Sequence, residues 1–208
     1  DGKVVRLSLG KRPFDGTVMS QVPLGDVSEP FRVLAESAGS AAHGEVLELL
    51  RRSYRPEATV GSAYVDFLRN MLQPLGIAVL DAWHPVVRAA ARPTLADALA
   101  RAAVIDEAVT LRTVSIERAG FRAQVARVPK LSLVFRSTDG RKERVPLAQA
   151  VDASQRDDLV LSSNVLLRPV VERCILPTVA YVGGPGEIAY FAQVSAVAEA
   201  MGATRSEE

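Results

Sequence analysis

Two stretches of this chain carry residue types that could do chemistry. One is Asn164-Val-Leu-Leu-Arg168-Pro169, where an amide and a guanidinium border an apolar run. The other is Val182-Gly183-Gly184-Pro185-Gly186-Glu187-Ile-Ala-Tyr190, where an apolar run stops at glycines and a helical pattern starts with a glutamate. A first helical turn offers unpaired backbone N–H groups and partial positive charge, so it favours an anion such as a carboxylate or phosphate. Glycines let a ligand approach the backbone. The spacing is neither G-x-G-x-x-G nor that of a P-loop. Glu187 would steady the helix start and would compete with an anionic ligand, so an amino or hydroxyl group is the better partner for it. The pattern alone leaves a structural turn and a ligand site both open, and for Asn164 and Arg168 a helix cap and a surface arginine are open as well.

Other candidates are weaker. His43 and His84 are the two histidines. They lack ligand spacing with Cys174, so no metal site is expected. His84 reads as a surface loop residue, Cys174 as a buried and inert thiol. Tyr181 and Tyr190 read as core or boundary aromatics.

The elements that must position these residues are legible in part. A strand is expected over 3–9 and a second over 18–24. Ser28-Glu29-Pro30 starts a helix expected to run to Gly39, and 42–54 forms another. Thr59 caps a third, which ends before Pro74. Ile77–Leu80 is expected as a short apolar strand of a parallel sheet buried on both faces. Residues 85–120 read as helix broken near Pro93 and stopping at Gly120. Asp139-Gly140 signals a hairpin between Leu131–Phe135 and the strand around Arg144. A polar linker near 152–158 is the candidate boundary. Beyond it come a helix at 169–175, a strand at 175–182 and a helix at 186–201.

The bulk properties exclude several classes. The 208 residues are 48% hydrophobic and 24% charged, which is ordinary globular composition. Net charge is +1, so bulk charge suggests neither a nucleic-acid nor a membrane partner. A single cysteine allows no intrachain disulfide and points to a reducing, cytoplasmic setting. No apolar run approaches the ~20 residues of a membrane span. The opening Asp1-Gly-Lys-Val-Val-Arg-Leu-Ser-Leu9 reads as the middle of a strand region, so a piece of something longer is expected.

Ser162-Ser-Asn-Val-Leu-Leu-Arg-Pro169 followed by Leu176-Pro-Thr-Val-Ala-Tyr-Val-Gly-Gly-Pro-Gly-Glu-Ile-Ala-Tyr-Phe-Ala-Gln193 closely resembles the cysteine-adding enzymes of bacillithiol biosynthesis, with their SPNVLLRP element and their LPT-AYVGGP-E-AYFAQ run. Phe67–Asp81 is similar to that family's LF--GL-VLDP segment, and Gly120–Val125 to its GYHAQV element. Ser163 stands where the family has proline, and Arg122 where it has histidine. The family's Thr-Gly-Gln-Gln and Asp-His-Asp type motifs do not occur here, so the chain reads as a middle segment of the pattern.

The resemblance implies an α/β, Rossmann-like core segment, akin to the class I aminoacyl-tRNA-synthetase-like nucleotidyl transferases, with a mostly helical insertion. Residues 1–158 would be part of that core with the insertion and the hairpin. Residues 159–208 would be its helix–strand–glycine turn–helix end. It implies a ligase that adds cysteine to glucosaminyl malate through a carbon–nitrogen bond, with ATP activating the cysteine carboxylate. It implies substrate contacts from Asn164, Arg168, Gly183, Gly184, Glu187 and Tyr190, and a homodimer through a coiled coil outside this chain. The competing reading is a non-catalytic fragment or paralogue that binds a small sugar or anion without turnover.

Overall fold

The computed structural model describes residues 18–38 and 44–203. The expected strand at 3–9, the helix end at Gly39 and His43 lie outside them. The chain divides into two compact units, Asp1–Asp81 and Ala82–Glu208.

The first unit is helical. It holds α1 (Ser28–Ala38), α2 (Gly44–Ser53) and α3 (Val60–Leu72). Thr59 caps α3 as expected. Its hydroxyl accepts from the Ser62 N–H at 3.1 Å, and the Ser62 hydroxyl accepts from the Thr59 N–H at 2.9 Å, a reciprocal cap. Leu24, Val27 and Ala63 form the small core, with Phe31, Tyr54 and Val60 packed around it. The strand expected at 18–24 is instead a single 3₁₀ turn, Met19–Gln21, and an isolated bridge from Pro23 to Thr59. Pro23, near the end of the candidate strand, removes one of its ladder donors.

Close packing in this unit makes Gly61 a test position. A Cβ there would meet the Ser20 carbonyl oxygen at 2.7 Å and the Ser20 Cα at 2.9 Å. Helix propensity alone would make Gly61→Ala stabilising by about 1 kcal/mol. Overpacking against backbone costs about 1–3 kcal/mol and wins. The variant is therefore expected to melt below the wild type in a thermal scan. An unchanged or raised midpoint would contradict the close approach.

The second unit opens with α4 (Pro85–Ala100) and α5 (Ala102–Arg118). The expected break at Pro93 does not occur. Pro93 lies inside α4, and the two helices part at Arg101 instead. A proline removes one main-chain bond. Here Ala91, Leu95, Ala98 and Leu99 are buried on either side of it and hold the helix to the core.

Three strands follow: β1 (Leu131–Thr138), β2 (Arg141–Pro146) and β3 (Val160–Ser163), in the order β2-β1-β3 with both pairings antiparallel. The β1–β2 turn is Asp139-Gly140, as the sequence indicates, with φ of 51° and 76°. Two positive φ values match the twist of a hairpin, and glycine takes the second without strain. Short α6 (Ala150–Ser154) precedes β3, and α7 (Arg168–Ile175) and α8 (Pro185–Ala200) complete the unit. The α4 helix packs against β1, β3, α6 and α7, and α5 packs against α8. Their shared core includes Leu99, Ile105, Val134, Val145, Leu167 and Val197.

Two expected strands are absent. Ile77–Leu80 and 175–182 carry no strand pairing, and Ile175 ends α7 instead. Leu80 is half exposed, and Val179 and Val182 are 97% and 96% exposed. A strand is stabilised by its neighbours, not by its own backbone. Among the described residues no partner strand lies beside either segment. The sheet that does form is antiparallel and contains the expected hairpin, and the parallel sheet expected around Ile77–Leu80 is not found among the described residues.

Candidate functional site

The polar cluster is built where α7 meets the start of α8. Pro169 stands in the first turn of α7, where its missing N–H costs nothing, and Arg168 opens the helix. Gly184 precedes α8 and Pro185 opens it. That places Glu187 in the first turn of α8 and Tyr190 one turn further, in the buried interior.

These side chains converge. One terminal guanidinium nitrogen of Arg168, Nη2, donates to Glu187 Oε1 at 2.5 Å, to the Tyr190 hydroxyl at 3.2 Å and to the Tyr181 hydroxyl at 3.4 Å. Both tyrosine hydroxyls donate to the same Glu187 oxygen, each at 3.2 Å. The Gly184 N–H donates to Glu187 Oε2 at 3.3 Å. Glu172, one turn along α7, places Oε1 3.7 Å from Arg168 Nε.

The charges follow from this geometry. The Arg168 bond, with help from the Gly184 N–H and the tyrosine hydroxyls, holds the Glu187 carboxyl below the usual carboxylate range. Burial works against the charge on Arg168, but its bond to Glu187 and the field of Glu172 outweigh it, and the guanidinium stays above its ordinary value. Burial pushes Glu172 the other way, above the usual range. Arg168 pulls it down and Glu187 pushes it further up. Burial also raises the Tyr181 phenol.

Of the six expected site residues, Arg168, Glu187 and Tyr190 come together directly. Gly183 and Gly184 form the turn that folds Glu187 back onto Arg168. A Cβ at Gly183 would meet the Tyr181 ring at 3.1 Å, so the small residue is needed for packing there. Gly184 and Gly186 have open space around them and no positive φ. Asn164 does different work. Its side-chain carbonyl accepts the N–H groups of Leu166 and Leu167 at 3.1 and 3.0 Å, closing the turn between β3 and α7. It also borders a cavity of about 20 Å³ whose walls include Asp106, Val125 and Arg144 and none of the Arg168 cluster.

The expectation that the helix start would cradle an anion also changes. The first turn of α8 already holds a carboxylate of its own. The Glu187 and Ile188 N–H groups are turned back to the Gly184 carbonyl at 2.9 and 3.0 Å, and the Gly184 N–H goes to Glu187. A second anion there would face Glu187 at close range. The turn does not fit the phosphates of a nucleotide. Arg168 and two tyrosines fill Glu187 Oε1, and Oε2 takes the Gly184 N–H.

Other residues are placed more simply. His84 caps α4, accepting the Val86 N–H at Nδ1, 3.3 Å away. Cys174, expected to be buried, is exposed. Among the described residues no group of histidines, cysteines and carboxylates could hold a metal ion. No helix among them is long and apolar enough to cross a membrane.

The sequence reading gave Gln193 no role. It is fully buried, 0% exposed. Its Oε1 accepts the Val125 N–H at 3.1 Å, and its Nε2 donates to the Val125 carbonyl at 3.0 Å and to Thr113 Oγ1 at 3.2 Å. One side chain on α8 thereby fixes the 121–128 loop as a strand neighbour would. Nothing local in the sequence could have revealed a pairing across 68 residues.

This second unit is an α/β arrangement with a charged cluster at a glycine turn before a helix. Residues 3–205 match the family model described as "Bacillithiol biosynthesis BshC, N-terminal Rossmann-like domain", and the chain belongs to that family. The sequence reading places the chain mid-pattern, and the model assigns it to the N-terminal domain. Among similar proteins, one from Koribacter versatilis named "Putative cysteine ligase BshC" is 30% identical over 211 residues. That match covers 93% of this chain and 40% of the relative. One of the same name from Solibacter usitatus is 35% identical over 159 residues, 72% of this chain and 30% of its own length. A third, from Symbiobacterium thermophilum, is 31% identical over 195 residues, 82% of this chain and 34% of its own. The chain thus spans well under half the length of the curated relatives it matches.

Proposed function

We propose that this domain supplies part of the acceptor site of a cytoplasmic ligase that joins the carboxyl group of cysteine to the amine of glucosaminyl malate, completing bacillithiol. Family membership supports the reaction class. The observation that carries the site is the Arg168–Glu187–Tyr190 cluster with Tyr181. It is a guanidinium and a carboxylate held in fixed register beside two phenols, half open to solvent.

In this reading Arg168 keeps a terminal nitrogen for a malate carboxylate. Glu187 and the tyrosines lock the guanidinium in place, and the Gly183-Gly184 turn sets where Glu187 sits. Asn164 fixes the β3–α7 turn from which Arg168 projects. The amide forms when the acceptor amine attacks an activated cysteine carboxyl and loses a proton. ATP is the proposed activator, and none of these residues is assigned to it.

The test is calorimetric titration of glucosaminyl malate into the full-length protein and its Glu187→Ala variant. Without Glu187 the guanidinium is no longer held in place, so the variant should bind about tenfold more weakly or worse. Equal affinity in both proteins would remove the acceptor site from this cluster.

A further inference from the structure

The two carboxylates flanking Arg168 are used very differently. Glu187 is saturated at Oε1, which takes three donors, and is tied back to the Gly184 N–H through Oε2. The Glu172 carboxylate accepts no hydrogen bond among the described residues. Its closest cation, Arg168 Nε, is 3.7 Å away, beyond hydrogen-bond reach. That Nε is itself buried without a hydrogen-bond partner. On the guanidinium, all three bonds in the cluster come from Nη2. Nη1 makes none among the described residues.

The cluster therefore contains an unfilled half. It has a carboxylate with no donor from the described residues and, beside it, one terminal guanidinium nitrogen, Nη1, that donates to none of them, while Nε is buried away from any ligand. Both belong to partly buried side chains, 37% exposed for Glu172 and 42% for Arg168. A carboxylate this exposed is reached by water, which a ligand's donors can replace. An ammonium supplies up to three, and a neighbouring carboxylate completes the pair on Arg168.

We propose that Glu172 is the ammonium-binding residue of this site, so that Glu172 and Arg168 together receive a ligand bearing an amine and a carboxylate a few atoms apart. This rests on the acceptor-site reading above and revises its division of labour. Glu187 becomes a positioning residue, and Glu172 touches substrate. Both substrates of the proposed ligase, cysteine and glucosaminyl malate, carry the required pair of groups. A carboxylate here would hold the amine as an ammonium until it is released for attack. Sequence spacing is consistent, since residues four apart on a helix share one face.

The test titrates four ligands into the full-length protein and its Glu172→Gln variant: glucosaminyl malate, cysteine, and the deamino analogue of each. Glutamine keeps size and shape but carries no negative charge to pair with an ammonium. The expected result is a fall of about tenfold or more for the amine-bearing ligand that uses the site, with its deamino analogue binding both proteins equally. Which amine ligand responds identifies the substrate held here. If Glu172→Gln weakens a ligand and its deamino analogue alike, Glu172 merely braces Arg168 and the inference fails. If the variant binds everything as the wild type does, Glu172 plays no part. If the wild type binds none of the four, the acceptor-site reading itself falls and takes the inference with it. The Glu187→Ala comparison above separates this case from a site that exists without Glu172.

Discussion

Gln193→Leu will destabilise the second unit by about 3–5 kcal/mol, the largest single effect expected of a conservative change outside the charged cluster. Leucine matches glutamine in bulk, so no cavity term enters. What is lost is the pairing of three polar groups. The Val125 N–H and C=O and the Thr113 hydroxyl all address the amide of Gln193, whose residue is wholly inaccessible. Each group left unsatisfied costs about 1–3 kcal/mol. Chemical denaturation of the wild type and the variant measures the difference. A loss under about 1 kcal/mol would mean that the 121–128 loop finds water as a replacement partner.

Gln193→Glu sharpens the point through pH. A carboxylate can accept the Val125 N–H but cannot donate to the Val125 carbonyl. The protonated acid can do both. Burial and the facing carbonyl both favour the neutral acid, so the folded-state pKa of that glutamate would lie above its unfolded value. A group of that kind contributes stability that is present at low pH and lost as pH rises through the folded pKa. The variant should therefore recover part of the loss on acidification, whereas Gln193→Leu should not. A denaturant series for each protein at acidic and neutral pH reads this directly.

The clamp also shows where sequence reading stops. Elements with local signals were legible. The Thr59 cap, the Asp139-Gly140 hairpin and the Pro169 helix start each depend on a few adjacent residues, and each stands where the sequence puts it. The failures are the elements whose existence depends on something distant. Ile77–Leu80 and 175–182 have the apolar content of strands but no neighbouring strand among the described residues, so no ladder forms and most of their side chains stay exposed. Pro93 looks like a helix break, but burial around it in the second unit's core overrides the lost bond. Cys174 looks buried from its apolar neighbours, yet the face of α7 that carries it points outward.

The site divides along the same line. Arg168, Glu187 and Tyr190 could each be singled out by residue type and by position at an element's end. Their mutual contact could not, because it depends on how the 176–184 segment returns the chain to α7. Asn164 carried two readings, and the local one holds: its carbonyl caps the turn that follows it. Tyr181 was set aside as a boundary aromatic, yet its hydroxyl touches both charged partners. Glu172 had one available signal, its four-residue spacing from Arg168. That spacing means a shared helix face, and only the structure shows that the resulting ion pair is stretched to 3.7 Å.

Arg168→Ala is expected to have the largest effect on ligand binding, because it removes the proposed carboxylate partner and unties the residues around it. Acceptor affinity should fall well beyond tenfold, more than in Glu187→Ala, where the guanidinium survives. The structural cost should be small, since both side chains of the Arg168–Glu187 pair keep contact with water.

The two effects can be separated by pH. In the wild type Glu187 titrates below its unfolded value, chiefly because of Arg168. Its contribution to stability is therefore present above the unfolded carboxylate range and lost as pH falls through the lower folded value. Without Arg168 that acid-side decline should flatten, and the difference in stability between the two proteins should shrink as pH is lowered. Arg168→Lys keeps the charge but not the fork, so it should restore much of the stability and its acid decline while leaving acceptor affinity low. Full recovery of affinity with lysine would show that the site needs only a positive charge there, and would remove the fixed guanidinium geometry from the proposed mechanism.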